Sequence, residues 1–330
     1  MFVPQIYAVA LFMLIISMFG WGTWPNCYKL CKGWRFELFY WDYTWGSTII
    51  FFLLAMTLGR TDPLSPDSFF NNLSSASPRL IFYCILGGAI WNVANILLTA
   101  AVAVAGMAVA FPVGIGLAIV IGSVSSYLIT PVGNPWLLFG GVGGIIAAII
   151  CDAMAYRKLA TDTKVSSKGI ILSLLAGVGV GAFFPLIAKA LAGPRQVNPY
   201  GVCVLFSIGV VLASVFFNYY MMRRPVAGPP IRMGDYLRSP RKFHILGLLA
   251  GVIWGTGTVA NFVVSYAKMV GPAASFAIGQ GATMVSAIFG VFVWKEFKGG
   301  GPAVTRMLAL MFLFFILGLT AVALAPVLTK

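Results

Sequence analysis

The sequence predicts an all-α integral membrane protein with ten transmembrane helices in two inverted five-helix repeats. Three observations favour this fold class: an apolar composition, ten long apolar runs and an internal repeat. The chain is 60% hydrophobic and only 9% charged, whereas a soluble domain carries about 25% charged residues. The apolar runs are continuous rather than alternating, which excludes a membrane β-barrel.

Ten apolar runs are long enough to cross a bilayer, which takes about 20 helical residues. The predicted spans are 5–30, 41–59, 79–103, 106–129, 134–155, 168–191, 199–221, 243–267, 271–294 and 303–326. The first run has neither a charged leading region nor a cleavage site, so we expect a retained helix rather than a signal peptide. The polar stretches between the runs are too short for a soluble domain.

The chain repeats itself at about half its length. The string GAIWNVAN at 88–95 returns as GVIWGTGTVAN at 251–261. A set of glycines recurs with an offset of 165 residues, Gly106, Gly114 and Gly116 returning as Gly271, Gly279 and Gly281. Five spans per half, an odd number, would insert the halves in opposite orientations. We therefore expect repeats at 1–157 and 158–330, with a binding site near the membrane midplane between them.

Glycines within the spans are expected to let helices approach closely. They include Gly114 and Gly116 in span 4, Gly279 and Gly281 in span 9, and two glycine pairs in span 5, Gly140–Gly141 and Gly143–Gly144.

The net charge of +14 is explained by membrane topology rather than by nucleic-acid binding. Odd-numbered loops carry 16 of the Lys and Arg residues, against 6 in the even-numbered loops and the C-terminal tail. The richer side should be cytoplasmic. We therefore expect a multi-pass protein of the plasma (inner) membrane, with both termini outside.

Polar side chains at mid-depth in a membrane usually face a cavity or a partner. Helical spacing places Trp91, Asn92, Asn95 and Thr99 on one stripe of span 3, and Trp254, Thr258, Asn261 and Ser265 on the matching stripe of span 8. Trp24 and Asn26 in span 1 and Gln280 in span 9 complete the candidate substrate-binding set. Amides and indoles suit a small, neutral, planar or polyhydroxylated solute. The alternative is that the amides form hydrogen bonds between helices.

Two prolines interrupt apolar spans at related positions, Pro25 in span 1 and Pro185 in span 6. Each removes one helical hydrogen bond and frees a carbonyl. We expect a break in both helices that could hold a solute or ion, with a simple packing kink as the alternative.

Few carboxylates accompany the spans. Asp42 is the candidate for proton coupling or gating, and its alternative is an interfacial pair with Arg35 or Lys29. Asp152 could pair with Arg157 or Lys158. Glu296 is expected to pair locally, and His244, the only histidine, to mark a helix boundary.

The motifs GTWPN at 22–26, YWDY at 40–43 and WKEF at 294–297 resemble the drug/metabolite transporter superfamily, in particular the ureide permease family and the related glucose/ribose porters. The resemblance implies proton-coupled import of a small polar solute, with ureides such as allantoin or nucleobases such as uracil and xanthine as leading substrates. It places Trp24, Pro25, Asp42 and Tyr43 in family motifs. Plant ureide permeases carry a long central loop with a nucleotide-binding string, whereas residues 156–168 form a short linker here.

We therefore expect a secondary importer of nucleobases or ureides, working by alternating access. A sugar importer or a metabolite or drug exporter of the same fold is the alternative. One histidine and few membrane carboxylates provide no nucleophile–base pair or metal cluster, so we expect no enzyme activity, metal or cofactor. The expected partners are the solute, a coupling H⁺, the lipid bilayer and, at most, a second copy in a homodimer.

Overall fold

The structure is a computed structural model that describes residues 1–159 and 167–328. Most of the predicted linker at 156–168 lies outside the described residues, as do Lys164 and Lys330. The α-helices are α1 (Tyr7–Leu30), α2 (Phe36–Met56), α3 (Phe69–Ser75), α4 (Pro78–Ala105), α5 (Met107–Ile129), α6 (Pro135–Leu159), α7 (Ser167–Ala190), α8 (Pro199–Ala213), α9 (Tyr219–Arg223), α10 (Met233–Leu237), α11 (Arg241–Tyr266), α12 (Pro272–Gly279), α13 (Ala282–Ile288) and α14 (Gly301–Leu324). Neither described range contains a strand. The chain is an all-α integral membrane protein, as predicted.

Within the described ranges, nine helical segments are long and apolar enough to cross a membrane. They correspond to nine of the ten predicted spans. The remaining span, predicted at 41–59, forms α2 (Phe36–Met56). Its first half is rich in Tyr and Trp and contains Asp42, which lowers the hydropathy of this helix. The count of ten crossings stays a prediction.

The expected breaks at the two prolines are wrong. Helix α1 continues through Pro25 and α7 continues through Pro185. Membrane helices tolerate proline because neighbouring helices and hydroxyl side chains satisfy the freed backbone groups. Pro25 frees the Trp21 carbonyl, and at the next residue Ser286 donates its hydroxyl hydrogen to the Gly22 carbonyl at 2.8 Å.

The interruption lies instead in predicted span 9. Helix α12 ends at Gly279 and α13 begins at Ala282, so that Gln280 and Gly281 form the joint. At this joint the Gly281 amide bonds to the Ile278 carbonyl, three residues back, at 2.8 Å. Two π-helical segments, Ser214–Asn218 after α8 and Phe289–Val293 after α13, add further irregularity.

Glycines bring the helix backbones into direct contact. A Cβ atom built on Gly46 of α2 would lie 2.1 Å from the Leu248 carbonyl oxygen of α11. One built on Gly88 of α4 would lie 2.0 Å from the Phe206 carbonyl oxygen of α8. No side chain fits at such distances, so these crossings require glycine. Helix α4 also packs along α7, α1 along α11, α5 along α7, and α6 along α14.

Candidate functional site

A cavity of about 160 Å³ lies where α1, α4, α5, α7, α11 and the α12–α13 joint converge. Its lining residues are Trp21, Trp24, Pro25, Trp91, Asn95, Leu98, Phe111, Ile115, Val180, Phe183, Trp254, Gln280, Ala282, Thr283 and Ser286. Both halves of the chain contribute residues to its wall. We call it the central cavity. Five of the predicted binding residues lie in it: Trp24, Trp91, Asn95, Trp254 and Gln280.

Stacked indole rings form one side of the central cavity. Trp91 and Trp254 lie near the midpoints of α4 and α11, and their ring centroids are 4.2 Å apart with planes inclined by 25°. Within the described residues, the indole N–H groups of Trp24, Trp91 and Trp254 make no hydrogen bond. The wall thus offers flat apolar faces together with three free donors.

Two amide side chains supply the remaining polar groups. Gln280 is 8% exposed, and its side-chain amide has no hydrogen-bond partner in the described part of the chain. It stands at the joint between α12 and α13, where the helix interruption leaves room for it. Asn95 is half-buried, and its Nδ2 donates to the Tyr40 hydroxyl at 3.2 Å.

Asn92, predicted on the same stripe, does not line the central cavity. It is fully buried, and its Oδ1 accepts from the Tyr40 hydroxyl at 2.7 Å and from the Ser214 hydroxyl at 3.3 Å. The geometry of Asn92 therefore fits the predicted alternative, in which the amide forms hydrogen bonds between helices.

Four other predicted binding residues also have protein partners. Asn26 Oδ1 accepts from the Trp294 indole at 2.5 Å. Thr258 accepts from the Trp21 indole at 2.9 Å. Asn261 Nδ2 donates to the Ser17 hydroxyl at 3.1 Å and to the Ser275 carbonyl at 2.9 Å. Thr99 donates to the Asn95 backbone carbonyl at 3.0 Å.

Several cavity residues were not among the predicted binding residues. Trp21 precedes Trp24 by three positions, and Thr283 and Ser286 follow Gln280 at three-residue intervals. This i, i+3 spacing marks one helix face and could have found them. Phe111 and Phe183 could not be distinguished from ordinary apolar residues of a span.

The two polar stripes lead away from the central cavity toward different cavities. On α4, Thr99 lines a second cavity of about 280 Å³ beside Arg35 and Glu37. On α11, Ser265 lines a third cavity of about 850 Å³ near the N-terminus of the chain. Each stripe starts at a residue of the stacked Trp91–Trp254 pair.

Asp42 lies apart from the central cavity. It is 4% exposed, its Oδ1 accepts from the Tyr236 hydroxyl at 2.7 Å, and its Oδ2 lies 2.7 Å from His244 Nδ1. The predicted alternative pair with Arg35 or Lys29 is wrong, because these cations bind Glu37 and Glu296 respectively. Burial, and then the bond to Asp42, raise the pKa of the Tyr236 phenol, so Tyr236 remains a donor at physiological pH.

His244, expected as a boundary residue, is therefore a partner of Asp42. Its ring packs edge-on against Tyr236, with centroids 4.8 Å apart, and against Trp34, with centroids 5.4 Å apart. Tyr43, one residue after Asp42, is fully buried with its ring 4.8 Å from that of Trp24.

A second ionic cluster joins α1, α6 and the segment after α13. Glu296 binds Lys29 and accepts from the Tyr156 hydroxyl at 2.6 Å. Its partners thus come from distant parts of the chain rather than from its own neighbourhood. Asp152 makes no ion pair with Arg157 or Lys158, because residues five and six positions further along a helix do not share its face. In the described residues, no group of three or more His, Cys, Asp or Glu could hold a metal ion.

The predicted packing glycines divide into two kinds. The Gly114 carbonyl would be 2.6 Å from a Cβ at Gly177, and a Cβ at Gly279 would be 2.6 Å from the Trp21 ring. A Cβ at Gly281 would be 2.8 Å from the Met18 side chain. A Cβ at Gly116, in contrast, would meet nothing within 4 Å, so no close helix contact requires glycine there.

Comparison with known proteins agrees with the resemblance to ureide permeases and glucose porters. Ureide permease 1 of Arabidopsis thaliana is 21% identical to this chain, over 93% of the chain and 94% of the permease. Ureide permease 3 of the same plant is 24% identical over 86% and 90%. Glucose uptake protein GlcU of Bacillus subtilis (strain 168) is 23% identical over 77% and 86%. The predicted family resemblance is confirmed.

The model of the family described as "Sugar transport protein" matches residues 12–325, which is nearly the whole chain. With its long apolar helices, the chain is a multi-pass membrane protein and a solute transporter. It belongs to the sugar transport protein family.

Proposed function

We propose that the protein imports a nucleobase or ureide, of the uracil, allantoin or xanthine type, across the plasma (inner) membrane. The observation that carries this proposal is the wall of the central cavity, where stacked indoles meet two amides with free hydrogen-bonding groups. A flat heterocycle can stack on Trp91 or Trp254 while its edge pairs with Asn95 and Gln280. The similarity to ureide permeases supports the same solute class.

Transport would proceed by alternating access, with the two halves rocking about the central cavity. Matching contacts in the two halves support this mechanism. In the first half, Gly46 of α2 lies against the backbone of α11. In the second half, Gly209 of α8 lies in the same way against the backbone of α4, where a Cβ on Gly209 would be 1.9 Å from the Ile85 carbonyl oxygen. Gly46 and Gly209 are separated by the same 163 residues as Trp91 and Trp254.

The helix turns before spans 4 and 9 also correspond. Gly106 has φ 75° and ψ 165°, and Gly271 has φ 77° and ψ 165°. This left-handed extended conformation is available to glycine and strained for other residues. Two related halves in opposite orientations would explain why the polar stripes of α4 and α11 lead to different cavities. Each stripe would then line the path to one side of the membrane.

Asp42 is the proposed carrier of a coupling proton. It is a buried carboxylate on α2, in the first half, and its partners Tyr236 and His244 belong to the second half. A buried carboxylate without a compensating charge costs several kcal/mol. Proton binding at this pair would therefore be linked to the packing of α2 against α10 and α11.

Sugar import is the second candidate, favoured by the similarity to a glucose uptake protein. Tryptophan faces also pack against the apolar faces of sugars, and amides bind hydroxyl groups as readily as ring N–H groups. The two candidates differ in the geometry of the solute rather than in the type of residue that binds it.

Uptake of labelled uracil by cells expressing the protein tests the proposal. Competition by allantoin or xanthine but not by glucose or ribose is the expected result. Absence of uracil uptake, together with uptake of labelled glucose, would establish the sugar candidate instead.

Asn95→Ala and Gln280→Ala test the assignment of the central cavity. Loss of a hydrogen bond that leaves a polar solute group unpaired costs about 1–3 kcal/mol, so each variant should weaken the apparent affinity by about 5-fold or more. The matched control is Asn71→Ala, which removes an exposed amide of α3 far from the cavity. Wild-type affinity in both cavity variants would refute the assignment.

A further inference from the structure

Tyr40 joins the only two asparagines of α4. Its side chain is fully buried in α2, and its hydroxyl lies between Asn92 and Asn95, donating to Asn92 Oδ1 at 2.7 Å and accepting from Asn95 Nδ2 at 3.2 Å. Tyr40 does not itself line the central cavity. Its hydroxyl reaches the cavity wall through Asn95, which does line the cavity.

A phenol hydroxyl has a single hydrogen to donate. Asn92 Oδ1 takes this hydrogen, and Asn92 is held in place by a second donor, the Ser214 hydroxyl at 3.3 Å. Ser214 in turn lies 3.2 Å from the Thr44 hydroxyl. All three of these residues are buried. In this arrangement the Tyr40 hydroxyl hydrogen points to Asn92 Oδ1, while the Asn92 Nδ2 group is buried without a partner in the described residues.

The Tyr40 hydroxyl determines the orientation of the Asn95 amide. Since Tyr40 has no second hydrogen, it can only accept from Asn95, and the Asn95 Nδ2 group faces it. In the described residues the Asn95 Oδ1 atom has no partner, and the residue lines the central cavity. The cavity wall therefore presents an acceptor at Asn95 and indole donors at Trp24, Trp91 and Trp254.

We propose that Tyr40 is a positioning residue that locks the Asn95 amide, so that the central cavity selects solutes with a hydrogen-bond donor, N–H or O–H, facing Asn95. The inference rests on the proposed role of the central cavity as the solute site. A solute without this donor leaves the Asn95 oxygen desolvated and unpaired. Sites built to bind a donor reject analogues that lack it much more strongly than apolar pockets reject an extra methyl group.

Tyr40→Phe removes the lock while keeping the ring. The Asn95 amide can then turn and present its NH₂ group to the cavity, which accommodates a solute that carries only acceptors at that edge. The variant should therefore lose donor selectivity while still taking up solute. A residue with a purely structural role would alter the amount of active protein and leave the selectivity ratio unchanged.

The experiment compares two competitors against uptake of labelled uracil: unlabelled uracil and N,N′-dimethyluracil, in which both N–H donors are methylated. We expect wild type to favour uracil by about 10-fold or more, corresponding to the cost of one unpaired polar group. In Tyr40→Phe the preference should fall several-fold. The matched control is Tyr200→Phe, which removes the hydroxyl of another buried tyrosine. This hydroxyl donates to the Phe2 carbonyl at 3.0 Å, and the pair lies far from the cavity.

The outcomes separate this inference from the proposed function. An unchanged preference in Tyr40→Phe, while Asn95→Ala weakens uptake, overturns the inference and leaves the central cavity as the solute site. Normal uptake in Asn95→Ala overturns both. If the wild type takes up glucose instead of uracil, the same variants are compared with glucose and its methyl ethers, and the same fall in preference is expected. Uptake of neither solute overturns the proposed function together with the inference.

Discussion

At the scale of single residues, buried polar side chains fall into two groups. Asn95 and Gln280 retain free hydrogen-bonding atoms at the central cavity, whereas Asn92 and Asn261 connect helices. Asn95 and Gln280 are the proposed solute contacts. Asn92 and Asn261 hold the helices around the cavity in place, and loss of one of their buried hydrogen-bond partners would cost about 1–3 kcal/mol of folding free energy.

Asp42→Asn should abolish accumulation of solute against a gradient while sparing exchange of solute between the two sides. The amide can still accept from Tyr236, so the local packing is kept, but it cannot bind and release a proton. Uptake into vesicles, with and without a pH gradient, separates accumulation from exchange.

The matched control for this variant is Glu37→Gln, which neutralises another buried carboxylate of α2, bound to Arg35. It should leave the ratio of accumulation to exchange unchanged. Normal accumulation in Asp42→Asn would mean that another group carries the proton.

The sequence predicted the candidate site in part, and the reason lies in the membrane setting of α4 and α11. Helical spacing placed Asn92 and Asn95 on one stripe, but only Asn95 reaches the cavity, since Asn92 turns toward α2 and the Ser214 segment. A helix surrounded by lipid and by apolar neighbours has no polar outer face to show which direction is inward. The partnership of Asp42 with His244 spans 202 residues, and no local pattern could reveal it.

At the scale of helices, glycine position decides how closely two spans pack. All four glycines of the two pairs in span 5 were expected to let helices approach closely, but only one member of each pair does so. A Cβ on Gly141 would lie 2.6 Å from the Gly318 carbonyl oxygen of α14, whereas one on Gly140 would meet nothing within 4 Å. Gly144 faces α14 like Gly141, and Gly143 is open like Gly140. The i, i+3 spacing groups Gly141 with Gly144 and Gly140 with Gly143 on separate faces, but it does not show which of the two faces meets α14.

Gly141→Ala should therefore destabilise the protein, because α6 and α14 must separate to admit the methyl group. Overpacking of this kind costs about 1–3 kcal/mol. The neighbouring variant Gly140→Ala serves as control and should leave stability unchanged or slightly improved. Thermal unfolding of the two purified variants in the same detergent checks the contrast. Equal melting temperatures would contradict the close packing of α6 on α14.

The proline positions show why helix breaks are hard to predict from sequence. Pro25 and Pro185 each remove one backbone hydrogen bond, yet both helices continue. The actual interruption at Gln280–Gly281 contains no proline. Its sequence signal was the triplet Gly279–Gln280–Gly281, whose glycines were expected to pack helices and whose glutamine was expected to bind solute. An end of the helix was not expected there.

At the scale of the whole molecule, the charge distribution predicts which end faces the cytoplasm. Leu64, 91% exposed in the loop before α3, and Leu237, 75% exposed in α10, lie in loops predicted on opposite sides. The five native cysteines are buried and unpaired, so an introduced cysteine can be labelled over a low background.

Leu64→Cys should react with a membrane-impermeant maleimide in intact cells, and Leu237→Cys only after the cells are permeabilised. The reason is the excess of Lys and Arg in the odd-numbered loops, which retains those loops in the cytoplasm. The reverse labelling pattern would invert the predicted topology and place both termini inside.

The stacking of Trp91 on Trp254 has a consequence for spectroscopy. Two indoles with centroids 4.2 Å apart couple their electronic transitions, and the resulting near-ultraviolet circular dichroism depends steeply on their separation and tilt. One ring belongs to each predicted half, so any rocking of the halves changes this signal. The protein thus carries an intrinsic chromophore pair at its centre, through which solute binding and conformational exchange can be followed without an attached label.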